Sequence, residues 1–222
     1  MPTFDLSSLI PYLPEFWVGL KVTLFYSIVS IFVAVAIGLV AALSRLSHIA
    51  PLRWLARLYI DITRGTPALV QIFFVYFGAP ALGLRLGAPT AAVIALGLNS
   101  GGYLAEIFRA GILSVDSGQI EAGRTLGMSH GQTMRRIIVP QAARLVVPSS
   151  AGEFTNLIKG TSLLSTISIT ELTRVATQVV SVTFRPIEAY LAVAVVYFVI
   201  NACVAQGSLW LESALRRAEG LN

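Results

Sequence analysis

A chain of 222 residues in which 55% are hydrophobic and only 12% charged has about half the charge that a soluble domain carries, which is typically about 25%. With a mean hydropathy of +0.76, it reads as an all-α integral membrane protein of one domain over residues 1–222. The net charge of +5 does not make it a nucleic-acid binder, because the basic residues gather at the ends of apolar runs and form no stripe on a polar face. The lone Cys203 and the isolated His48 and His130 exclude an intrachain disulfide framework and metal-ligand spacing.

Asp5 and Glu15 precede the first long apolar run, where a signal peptide would place basic residues. That run, about 16–43, is the first of five segments with roughly the 20 apolar residues a spanning helix needs. The second covers about 55–82, although Arg57, Asp61 and Arg64 stand in its first turns. The third runs from about 89 to 108, the fourth from 137 to 158 and the fifth from 187 to 211. Pro89 and Pro186 stand at helix starts, where a missing N–H costs nothing. Pro67, Pro140 and Pro148 are expected to kink or delimit their helices.

Between the fourth and fifth spans, 161–184 is too polar to cross easily. Leu163, Leu164, Ile167, Leu172, Val175, Val179 and Val182 approximate a helical stripe among Ser, Thr and Arg, which predicts an amphipathic or re-entrant element on the external face. Orientation follows from the basic residues. Arg45, Arg53, Arg57, Arg109, Arg124, Arg135, Arg136, Arg144, Arg216 and Arg217 fall on one side, and outnumber Lys21, Arg85, Arg174 and Arg185 on the other. The first group is therefore assigned to the cytoplasm, with the N-terminus outside and the C-terminus inside.

The cytoplasmic stretch "EAGRTLGMSHGQTMRRIIVP", 121–140, interrupts this apolar chain. Asp116 and Gln119 have capping-box spacing, and Glu121 follows in the first turns, where negative charge complements the helix dipole. Gly123, Gly127 and Gly131 recur every four residues. Each glycine inside a helix costs about 1 kcal/mol relative to alanine, so the pattern implies either close approach of another surface or a turn at Gly127. The residues alone leave two readings, a well-capped loop or a short helix at about 116–131 offered to a cytosolic partner.

The stretch resembles the EAA loop of bacterial ABC-importer permeases: Glu-Ala-Ala, three residues, Gly, nine residues, Ile, one residue, Leu-Pro. Glu121, Ala122, Gly127, Ile137 and Pro140 match at that spacing, while Gly123 stands for the third alanine and Val139 for the leucine. "RGTPALVQIFFVYFG" (64–78), "LNSGGYLAEIFRAGILSVDSGQIEAGRTLGMS" (98–129) and "IKGTSLLSTISITELTR" (158–174) are similar to the polar amino-acid uptake permeases within that group. The resemblance implies a MetI-like fold with five transmembrane helices and a cytoplasmic coupling helix, in a bacterial inner (cytoplasmic) membrane. It implies a second permease subunit, cytosolic ATPase subunits and a periplasmic or lipid-anchored solute-binding protein as partners. On this resemblance Glu121, Ala122, Gly123, Arg124 and Gly127 belong to the ATPase-coupling element. No Gly-x-x-x-x-Gly-Lys-Ser/Thr phosphate loop occurs in the sequence, so ATP and Mg are expected in the partner ATPase, with no cofactor or metal on this chain.

Ionisable residues within spans are costly and face a bundle interior or a cavity. Glu153, with Asn156 three residues on, is the leading candidate for a polar amino-acid path. Asn99, Tyr103 and Glu106 share one side of the third helix, and Ser100 lies beside them. A carboxylate suits an ammonium or a cationic side chain. The competing structural roles are an ion pair of Glu153 with Lys159 or Arg144, of Glu106 with Arg109, and of Asp61 with Arg64. A stand-alone secondary transporter or channel is the alternative function. A membrane enzyme using Glu106, Glu153 or His130 is disfavoured, because these groups are scattered along the sequence.

Overall fold

The computed structural model describes residues 4–218. Residues 1–3 and 219–222, and the side chain of Arg216 counted above among the cytoplasmic basic residues, lie outside that description. Every described element is helical. A 3-10 segment at Leu6–Tyr12 leads into α1 (Leu13–Leu46), followed by α2 (Ala50–Gly65), α3 (Ala68–Gly78) and α4 (Ala88–Leu113). Two short helices, α5 (Ser117–Thr125) and α6 (His130–Thr133), precede a π-helical turn at Met134–Ile138 and α7 (Val139–Gly160). A 3-10 segment at Thr161–Ile167, then α8 (Leu172–Thr183) and α9 (Pro186–Ala218), complete the chain.

The scaffold is the α1–α4 pair. Along α1 the buried positions are mostly small, Gly19, Thr23, Ser27, Ser30, Ala34, Gly38, Ala41 and Ala42, with Phe16 and Tyr26 buried beside them in its first half. On α4 they are Ala91, Ala92, Ala95, Gly97, Ser100, Gly101, Gly102, Ala105 and Gly111, with Leu96 and Leu104 among them. In a lipid environment helix association depends on close packing more than on apolar burial, so small residues belong at the seam. A Cβ added at Gly97 would stand 2.5 Å from Val33 Cγ1, which measures how closely the backbones approach.

Among the described residues, three elements are long and apolar enough to cross a membrane: Leu6–Leu46, Ala88–Leu113 and Pro186–Ala214, with α2 and α3 as a fourth if they count as one span. The run predicted as one helix over 55–82 is instead broken, with the axes of Ala50–Gly65 and Ala68–Leu82 bent by 113°. Pro67 is the cause: it cannot continue the ladder and it drives the preceding residue extended, and Thr66 has φ −125°, ψ 148°. The predicted fourth span, α7, has 22 residues but carries Arg144, Glu153 and Lys159 and falls short in apolarity. It buries Ala142, Ser150, Glu153, Leu157 and Ile158 within the bundle, against α4 and α9. Pro140 stands at its start, whereas Pro148 lies inside it without ending it.

The amphipathic stripe expected over 161–184 is present. Leu164, Ile167, Leu172, Val175 and Val179 are buried, and only Val182 turns outward. α8 packs through Leu172, Val175, Ala176 and Val179 onto Phe16 of α1 and onto Ala189 and Val193 of α9. Its N-cap is Glu171, whose carboxylate accepts from the backbone N–H groups of Thr173 and Arg174, both at 2.8 Å, and from the Tyr197 hydroxyl of α9 at 3.1 Å.

Candidate functional site

Two features lie on the α4–α7 pair: a polar cavity within it and a capped helix in the connection between its members. The cavity has a volume of about 590 Å³ and is lined by Arg64, Tyr103, Glu106, Ile107, Ala110, Leu145, Ser149, Gly152, Glu153 and Asn156. Helical spacing explains the set, since Tyr103, Glu106 and Ala110 share one side of α4, and Leu145, Ser149, Gly152, Glu153 and Asn156 share one side of α7.

Glu153 is only 8% exposed. Its polar neighbours are Ser100 and Asn156, so a desolvated carboxylate lies beside neutral groups. A cation entering the cavity would offset the cost of a charge buried there. Ser100 itself is buried on α4. Glu106 is instead engaged by Arg109, with Arg109 Nη2 donating to Glu106 Oε2 at 2.7 Å and Arg109 Nε donating to both carboxylate oxygens at 3.1 Å. The helix-end ion pair weighed from the sequence is therefore formed, at the edge of the cavity.

Asn99 leaves this group. Its Nδ2 donates to Gln71 Oε1 at 3.2 Å, and Gln71 Nε2 in turn donates to the Thr63 carbonyl at 2.8 Å, the Thr66 carbonyl at 3.1 Å and the Thr66 hydroxyl at 2.8 Å. Asn99 thus holds the residue that bridges the α2–α3 break. Of the sequence-predicted path residues, Glu153, Asn156 and Glu106 line the cavity and Ser100 supports it from behind. The spacing of Arg64 and Asp61 suggests a pair, as a clamp or a helix-end ion pair, but Asp61 pairs with Arg57 at 3.6 Å on the surface. The Arg64 guanidinium lies over the Tyr103 ring, 5.7 Å from its centroid, a cation–π arrangement that presents a cation opposite two carboxylates.

The capped helix is α5. Asp116 accepts from the backbone N–H groups of Gly118 and Gln119 at 2.8 and 3.3 Å, as its position predicts. Gln119 does not complete the predicted capping box, because Gln141 Nε2 donates to its Oε1 at 2.6 Å. A full box forms one helix later, between Ser129 and Gln132. The helix expected over 116–131 is consequently shorter. It ends at Thr125, reverses at Gly127 with φ 78° and resumes at His130. The Met128 N–H donates to the Gly123 carbonyl and the Gly127 N–H to the Arg124 carbonyl, the Schellman closure that a left-handed residue permits. Gly131 belongs to α6, so the three glycines do not share one helix face.

Glu121, Ala122 and Arg124 are exposed on α5, whereas Gly123 is buried. A Cβ at Gly123 would lie 2.8 Å from Ile137 Cδ1, so Ile137 seats α5 against the π turn that opens α7. Leu126 is 81% exposed, an apolar residue at the tip that sequence reading passed over. Its only sequence signal is its place directly before the turn glycine. Gln141 was missed for a similar reason, since a polar residue one step after a proline carries no signature of its partner.

This combination of an α1–α4 scaffold, a polar cavity and a capped helix facing outward agrees with the comparisons. The model of the family described as binding-protein-dependent transport system inner membrane component matches residues 34–217. The chain belongs to that family. The permease is 43% identical over 187 residues, 84% of this chain and 83% of the other, to the probable amino-acid ABC transporter permease protein YckA of Bacillus subtilis (strain 168). It is 38% identical over 218 residues, 97% and 96% of the two chains, to the glutamine transport system permease protein GlnP of Escherichia coli (strain K12). Among solved structures, a chain from the crystal structure of an amino acid ABC transporter with histidines matches at 40% identity and a TM-score of 0.89, covering 96% of this permease and all of that chain. The permease is thus an amino-acid ABC permease with a MetI-like, multi-pass membrane fold.

Proposed function

We propose that this permease carries polar amino acids, with a preference for basic ones, through the α4–α7 cavity, and that α5 is the helix through which a cytosolic ATPase drives the passage. The observation that carries the reading is the buried Glu153 carboxylate, beside Ser100 and Asn156, in a cavity that also presents Arg64. An amino acid brings an ammonium and a carboxylate. Glu153 suits the first and Arg64 the second, with Asn156 and Ser149 in the same lining for hydrogen bonds. Because Glu153 is buried, such a pairing is stronger there than at a surface. The second acidic residue, Glu106, is neutralised by Arg109 and sets the polarity of the rim. A similar solved structure, described as an amino acid ABC transporter with histidines, is compatible with a basic substrate.

The transport cycle assigns roles to this chain's residues alone. α5 presents Glu121, Ala122, Arg124 and Leu126 to the ATPase. Gly127 sets the angle at which the chain returns toward α7, and the cavity residues bind and release the amino acid as α4 and α7 shift. ATP and Mg are used by the ATPase, a second permease subunit completes the passage, and an external solute-binding protein supplies the amino acid. The N-terminus lies outside and the C-terminus in the cytoplasm.

The test is uptake of labelled arginine, histidine and glutamine by the complex in proteoliposomes, with Glu153→Gln against the unaltered chain. Loss of about tenfold or more, equivalent to about 1.4 kcal/mol, is expected for the basic amino acids while the ATPase stays bound. Undiminished arginine and histidine uptake would reject the cationic site.

A further inference from the structure

The seam between α5 and α7 contains a side-chain clamp with a definite geometry. Gln141 stands in the first turn of α7, and its Nε2 donates at once to Gln119 Oε1 of α5 at 2.6 Å and to the Ile137 carbonyl of the π turn at 3.1 Å. One amide thus joins the outward-facing helix, the π-helical turn and the start of the cavity helix. The turn needs such a tie. Pro140 contributes no N–H to the ladder, and π turns are local irregularities in helical hydrogen bonding. Without Gln141, α5 is held to α7 mainly by Ile137 over Gly123, an apolar contact that fixes distance but not direction.

The position of Gln141 on α7 gives the clamp its consequence. Residues 141, 145, 149, 152, 153 and 156 recur at three- and four-residue spacing and so lie on one side of the helix. The last five of them line the cavity. Twelve residues of helix, about 18 Å, separate Gln141 from Glu153. Between the two α4 packs closely on α7, where a Cβ on Gly111 would collide with Val146 Cγ2 and stand 3.2 Å from the Ala142 carbonyl. A helix held tightly at that level and gripped at its end by Gln119 moves its far half when α5 moves.

We infer that Gln119 and Gln141 are positioning residues that make α5 and the cavity face of α7 move as one body, so that displacement at the ATPase contact reaches Glu153. This rests on the reading of α5 as the ATPase-docking helix. Neither residue touches the amino acid. The role is in transmission, which separates it from docking and from substrate binding.

The experiment uses the assembled complex in proteoliposomes, with Gln119→Ala, Gln141→Ala, the double variant and the charge-swapped pair Gln119→Glu/Gln141→Lys. Three quantities are read: ATPase retained on the permease, ATP hydrolysed and arginine taken up. Each single variant is expected to keep the ATPase bound and to lower arginine uptake per ATP hydrolysed by about three- to tenfold. The double variant should lose no more than either single one, because the two side chains make one contact. The charge-swapped pair should recover most of the coupling, which also answers a single variant that fails to fold. Unchanged uptake per ATP in both single variants, additive losses in the double, or release of the ATPase would each overturn the clamp. Failure of the ATPase to associate with the unaltered permease would instead overturn the docking role of α5.

Discussion

Asn99 on α4 and Gln71 on α3 form a hydrogen bond at 3.2 Å, and through it α4 braces the break between α2 and α3. Gln71 supplies the amide that the Thr63 and Thr66 carbonyls lack once the helix stops at Gly65. Gln71→Leu fills the same volume but donates nothing, and leaves those acceptors with less than they have. A loss of about 1–2 kcal/mol in stability is expected, with a smaller loss for Asn99→Ala. Thermal unfolding of the detergent-solubilised protein reads the order. If Asn99→Ala left stability intact but abolished uptake, Asn99 would return to the substrate path.

Gly102 and Thr63 meet at a tight point between α4 and α2. A Cβ on Gly102 would fall 1.9 Å from Thr63 Oγ1 and 2.8 Å from Thr63 Cβ. Helix propensity favours alanine over glycine by about 1 kcal/mol, whereas overpacking a tight seam costs about 1–3 kcal/mol. The collision is with a β-branched, buried side chain, so the cost wins and Gly102→Ala is expected to lower the unfolding temperature. Adding Thr63→Ala should recover part of it. A Gly102→Ala variant as stable as the parent would show that α2 stands further from α4.

Gly127 and Gly131 separate backbone strain from crowding, because neither has a heavy atom within 4 Å of an added Cβ. Only Gly127 has positive φ, a conformation that costs other residues roughly 1–2 kcal/mol and asparagine less. Gly127→Val should therefore misdirect the return of the chain and reduce ATPase copurification and uptake together. Gly127→Asn should retain most of both, and Gly131→Ala all of both. Equal behaviour of Gly127→Val and Gly131→Ala would remove the turn from the coupling account.

Glu171 is fully buried and satisfies two backbone N–H groups and the Tyr197 hydroxyl. Glu171→Ala removes a cap, worth about 1–2 kcal/mol, and leaves buried donors unpaired at a further 1–3 kcal/mol. Tyr197→Phe should cost about 1 kcal/mol. Hydrogen exchange is expected to rise across α8 in both variants, and most in Glu171→Ala. Protection of α8 that survives Glu171→Ala would mean that its apolar face alone holds it.

The sequence by itself determined what depends on local spacing. Apolar runs located α1, α4 and α9, because a periodic stretch longer than the bilayer core has few other uses. Asp116 marked the start of α5, because a cap is a property of a few adjacent residues, whereas the glycine pattern leaves the turn at Gly127 as one of two readings, and the helix expected there runs on to 131. Even the break at 65–67 was written in Pro67, yet hydropathy averages over direction and merged two helices into one span. Tertiary structure alone decided which polar side chains meet. Asn99, Glu106 and Glu153 look alike as polar residues in apolar helices. One braces Gln71, one is held by Arg109, and one faces the cavity with Ser100 and Asn156. Gln119 likewise looked like half of a capping box until Gln141, 22 positions away, supplied a better donor. A hydrogen bond is settled by distance and angle at the contact, and those are set only when helices far apart in the chain are packed.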